Sequence, residues 1–113
     1  MELQTEIQAE LDKAEQARQR GNEGQARVCA RRAAGIAARE YLKRLGQKIP
    51  TQSAYDVLKL IEEDSGVSPD LRACAAHLTL RVDEEFRLPA GVDVVADARR
   101  FCDELLTGGA RTP

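Results

Sequence analysis

Between Ala26 and Leu45 the apolar positions recur at helical spacing and are mostly small. Ala26, Cys29, Ala30, Ala33, Ala37, Tyr41 and Leu45 fall along one side, and Val28, Ile36 and Leu42 broaden that face. Ala33, Ala34, Gly35, Ala37 and Ala38 cluster so tightly that a neighbouring helix can approach them at short range. Composition points the same way. Ala supplies 17 residues, Trp is absent and aromatics amount to 4%, whereas strands draw on β-branched and aromatic side chains. A β-sandwich or barrel is therefore disfavoured, and 113 residues fit one compact domain.

The same periodicity recurs on either side. Leu3, Ile7, Leu11, Ala14 and Ala17 form the stripe of a first helix running to about Arg20. Gly21 is its expected C-terminal cap, and Asn22 with Gln25 reads as the capping box of the second helix, Glu23 to about Leu45. Gly46 and Pro50 bound the loop that follows. Ser53 with Asp56 opens a short third helix that stops near Asp64. Ser68-Pro69-Asp70 combines an N-cap hydroxyl, a proline at the first helical position and a first-turn acid. The fourth helix is expected to run from Pro69 to Val82, broken by Leu88-Pro89-Ala90-Gly91. A fifth begins near Asp93 and ends by Leu106. Helices joined by short linkers predict an all-α, up-and-down bundle over residues 1–107, with 108–113 a frayed tail.

Charge is nearly balanced at -2, which does not favour indiscriminate binding to nucleic acid or membrane. Its distribution is uneven. Arg27, Arg31, Arg32, Arg39, Lys43, Arg44 and Lys48 face one acid, Glu40, within their stretch, whereas the stretch from Glu62 to Glu104 is strongly acidic. The helical spacing of the bases makes stripes beside the apolar face. These stripes can pair with the acidic helices of the same bundle or of a second subunit, or meet phosphates and carboxylates. The run Leu80 to Pro89, with Arg81 and Arg87, reads either as capping and salt bridges or as a ligand or partner surface formed with the second-helix arginines.

Cys29, Cys74 and Cys102 are odd in number and lie among apolar helical residues, so they read as buried small hydrophobes and not as a disulfide framework or zinc site. No stretch is long and apolar enough to cross a membrane, and the first residues lack a secretory pattern, so the expected compartment is the cytoplasm. His77 is the only histidine. Arg72 precedes it by five positions, about 140° around a helix, so the two do not stack as neighbours one turn apart. As a catalytic pair, His77 supplies a general base and Arg72 steadies developing phosphate charge. No Gly-rich phosphate loop, Ser-His-Asp elbow or metal-ligand cluster accompanies them, and no metal or cofactor is expected.

As an ordered set, these segments resemble the HEPN family of small helical-bundle proteins. The resemblance spans roughly Leu11 to Leu106. It rests on Ala14 to Asn22, the Ala-rich Arg31 to Leu42, the Ser53 to Leu58 start, Thr79 to Asp83, and Asp97 to Phe101. It implies a four-helix up-and-down bundle with an additional short helix, usually homodimeric. Many members are metal-independent ribonucleases or toxin-antitoxin components paired with a nucleotidyltransferase. The family's catalytic signature is Arg-x(4-6)-His, usually with a polar residue after the Arg and just before the final helix. Arg72 and His77 keep the spacing, but Ala73 follows the Arg and about fifteen residues separate His77 from the last helix. The expected function is accordingly a non-catalytic binding or interaction module. It would contact a nucleotide, RNA or an acidic partner through Arg27, Arg31, Arg39, Lys43, Arg81 and Arg87. The alternative is a ribonuclease using Arg72 and His77.

Overall fold

A computed structural model describes residues 2–49, 51–80 and 92–107 of the chain. Its regular elements are α-helices: α1 (Leu3–Gln19), α2 (Glu23–Arg44), α3 (Ala54–Glu62), α4 (Pro69–Leu78) and α5 (Val94–Leu106). The expected tail, 108–113, and the expected contacts of Arg81 and Arg87 lie outside the described residues.

Local chemistry sets most of the boundaries. Gly21 and Gly46 take left-handed φ values of 78° and 75° just past α1 and α2. In both, two backbone N–H groups turn back onto the last helical carbonyls: Gly21 to Arg18 and Asn22 to Ala17, then Gly46 to Lys43 and Gln47 to Leu42. This double closure satisfies acceptors that a helix end otherwise leaves bare. Asn22, Ser53, Ser68 and Asp93 each accept a hydrogen bond from the backbone N–H three residues on, capping α2, α3, α4 and α5. The Asn22 cap is only half of a capping box, because the Gln25 side chain donates to Cys29 Sγ at 3.4 Å.

The end of α4 departs from expectation. The periodicity suggests a helix to Val82, yet α4 stops at Leu78. Buried Thr79 holds its hydroxyl 2.9 Å from Glu62 Oε2 on α3 and within hydrogen-bond reach of the Ala75 and Ala76 carbonyls. The Leu78 carbonyl accepts from Arg31 Nε of α2 at 3.0 Å. A β-branched residue with a competing hydroxyl and a guanidinium on the last carbonyl favour termination there.

α2 is the central element, packed against α1, α3 and α5 and, less extensively, α4. Its Ala26, Ala30, Ala33, Ala34, Ala37 and Ala38 have no exposed surface. The large core side chains come from its neighbours and its C-terminal half: Leu42, Leu58, Ile61, Leu71, Leu78 and Phe101. Each such side chain, fully buried, contributes about 1.5–3 kcal/mol of transfer free energy. Small residues on α2 and large ones around it are complementary, which brings the backbones close. At Gly35 an added Cβ would sit 2.7 Å from Ala54 Cβ at the start of α3.

Candidate functional site

The bases of α2 flank its alanine face, and they divide by surroundings. Arg31 and Arg44 serve helix ends: Arg31 on the Leu78 carbonyl of α4, and Arg44 Nη1 on the Leu106 carbonyl of α5 at 3.2 Å. A cation at a C-terminus meets both bare acceptors and the negative end of the helix dipole. Desolvation, and then the like charge of Arg27, hold the Arg31 guanidinium below its usual value. Arg27 Nε is buried with no hydrogen-bond partner. Among the described residues none of these bases pairs with an acid of the Glu62 to Glu104 stretch. Of the acids there, Asp93 meets α1 through Arg18, while α1 in turn supplies an acid, Glu15, to Arg99 of α5.

Arg32, Arg39 and Lys43 form the second group. They line one wall of a groove of about 410 Å³ between α1, α2 and the start of α3. That volume lies in the range of small-molecule sites, about 300–1,000 Å³. Leu3, Ile36, Gly35 and Ala54 give it an apolar lining, and Glu6 and Glu10 of α1 enter from the other side. Gly35 keeps the α2 surface bare of side chain where Ala54 approaches. Within the groove Glu40 pairs at 3.8 Å with Arg44, leaving Arg32, Arg39 and Lys43 without a salt bridge among the described residues. Glu10 Oε1 meets Lys13 at 3.4 Å, but Glu10 Oε2 is buried and has no hydrogen-bond partner. An acceptor-only carboxylate oxygen in that position is costly to leave unfilled.

α4 sends Arg72 and His77 to different neighbours. Arg72 Nε donates to the Val67 carbonyl at 3.1 Å, in the connection between α3 and α4. His77 Nδ1 lies 2.8 Å from Asp97 Oδ2 on α5. Because an ionised carboxylate only accepts, this contact makes Nδ1 the donor and fixes the imidazole's tautomer. Cys74 Sγ, one turn before His77, is 3.8 Å from the other Asp97 oxygen. Burial, and then Asp97, push that thiol up to about 11, so it is no nucleophile at neutral pH. Among the described residues Arg72 and His77 share no hydrogen-bond partner. No group of three or more potential metal ligands occurs among the described residues.

Sequence reading singled out Arg39 and Lys43, and both reach the groove. It put Arg27 and Arg31 in the same binding set, and they stand apart from it. It missed Glu10, which occupies the edge of the first apolar stripe and looks like any surface acid, and Asp97, whose link to His77 crosses between helices. Comparison with protein-family models, with curated proteins and with solved structures gave no match.

Proposed function

We propose that the chain is a non-catalytic, HEPN-like four-helix up-and-down bundle with an additional short helix, acting as a nucleotide-binding module through the groove between α1, α2 and α3. The observation that carries this reading is the set of three cations, Arg32, Arg39 and Lys43, that make no salt bridge among the described residues and stand beside an apolar lining in a groove of about 410 Å³. Cations there suit phosphate, and the apolar lining suits a flat base or ribose. The working unit is a homodimer, as the resemblance implies, and a stable monomer in sedimentation at micromolar concentration overturns that part.

Fluorescence anisotropy with a labelled mononucleotide tests the groove. Binding should weaken at least tenfold in the double charge reversal Arg39→Glu, Lys43→Glu and fall as salt rises. Binding that ignores both changes removes the proposal.

The ribonuclease alternative draws on one feature, the His77–Asp97 contact, since a carboxylate on Nδ1 is how a general-base imidazole is commonly oriented. Against it stands Arg72, whose Nε is engaged by a backbone carbonyl. RNA cleavage that disappears in His77→Ala and Arg72→Ala, with the fold intact by circular dichroism, establishes the alternative and displaces the binding-only reading.

A further inference from the structure

The cations of the groove are spread along it and not gathered at one point. Arg32, Ile36, Arg39 and Lys43 all line the groove, and helical phase puts them within about 60° of one another on a single stripe of α2. At the helical rise, Arg32 stands about 10 Å from Arg39 along the axis, and Arg39 about 6 Å from Lys43. Gly35 and Ile36 fall between Arg32 and Arg39, with Ala54 against Gly35. The wall therefore reads, in order, as one cation, an apolar stretch and a pair of cations. Arg32 and Lys43 are exposed and Arg39 is half-buried, so all three are open to a ligand. None makes a salt bridge among the described residues, and Glu40, which lies between the pair, meets Arg44. Glu6 and Glu10 on the opposite wall repel anions and confine them to α2.

Resting on the groove reading above, we infer that the ligand class is a nucleotide with phosphates at two separated positions, of which a nucleoside 3′,5′-bisphosphate is the smallest. Arg39 and Lys43 stand one helical turn apart, where like charges repel, and one phosphate bridging them relieves that repulsion. A phosphate monoester carries about -1.5 to -2 at neutral pH, so this pair alone balances it. Arg32 is then left over, on the far side of the apolar stretch. A ribose phosphorylated on both O3′ and O5′ sends one phosphate to each side while its sugar and base cover Gly35 and Ile36. The long side chains of Arg32 and Arg39 lean inward to meet the two phosphates. A nucleoside 5′-diphosphate carries nearly the same charge but joins both phosphates in one chain, which serves the pair and leaves Arg32 without an anion.

Calorimetric titration of adenosine 3′,5′-bisphosphate, adenosine 5′-diphosphate and adenosine 5′-monophosphate into the full chain, at one fixed salt concentration, tests this assignment. The wild type should bind the bisphosphate about tenfold more tightly than the monophosphate, the size of one charge-assisted contact, and at least fivefold more tightly than the diphosphate. Arg32→Gln should bring the ratio of bisphosphate to monophosphate affinity to within about twofold of unity, whereas Lys43→Gln should weaken all three nucleotides. A diphosphate that binds as tightly as the bisphosphate shows that total charge and not its placement is read, and overturns the inference while leaving the groove standing. A bisphosphate advantage that survives Arg32→Gln overturns it as well. Failure of all three nucleotides to bind at millimolar concentration removes the groove reading itself.

Discussion

Gly35 shows how much a single missing side chain can decide. A methyl group there would lie 2.7 Å from Ala54 Cβ and 3.1 Å from its Cα, so the start of α3 would have to move off α2. Gly35→Ala should therefore destabilise the protein by about 1–3 kcal/mol, read from urea denaturation, despite the better helix propensity of Ala. A neutral or stabilising result would mean that the two helices give way without cost. The cysteines make a second residue-scale case. Burial raises the Cys102 thiol to about 12, and burial with Asp97 raises Cys74 to about 11. Both should resist iodoacetamide at pH 8 in the native protein and react promptly once it is unfolded. Their folded values lie above the unfolded one, so the stability they contribute is complete below about pH 8.5 and declines as pH rises through 11 and 12.

At the scale of elements, the helices were legible in the sequence because their signals are local. Asn22, Ser53, Ser68 and Asp93 cap as their positions suggest, and Gly21 and Gly46 end helices as glycines past a C-cap do. The end of α4 was not legible, since it depends on Glu62 and Arg31, which reach it from other helices. Asp93 tests how far a cap matters. It accepts from Ala96 N at 3.1 Å and meets Arg18 of α1 at 2.8 Å. The Ala96 N–H holds its carboxyl below the usual carboxylate range against the opposing effect of desolvation, and Arg18 adds to the lowering. Because the folded value is the lower one, this contribution is present above about pH 4 and lost as pH falls below it. Asp93→Ala should cost about 1 kcal/mol at pH 7. The gap between the variant and the wild type should narrow below pH 4 in thermal melts. A gap independent of pH would assign the cap's effect to geometry and not to charge.

Over the whole molecule, the sequence revealed that its bases are concentrated in one helix but not what they face. Spacing along α2 groups Arg27, Arg31, Arg39 and Lys43 together, and three-dimensional contacts divide them. Arg31 closes the end of α4, Arg44 closes the end of α5, and Arg32, Arg39 and Lys43 line the groove without a salt bridge among the described residues. Helical phase alone does not separate these roles, because the outcome depends on where α1, α4 and α5 end against α2. Glu10 and Asp97 were hidden for the same reason, each acquiring its surroundings from a distant segment. The proposed ligand site is the groove, and not the face bearing His77. Titration of a mononucleotide into isotopically labelled protein, followed by backbone amide chemical shifts, separates the two sites. Shifts concentrated at Glu6, Glu10, Arg32, Arg39, Lys43 and Ala54 are the result predicted, whereas shifts concentrated at Arg72, His77 and Asp97 would contradict it.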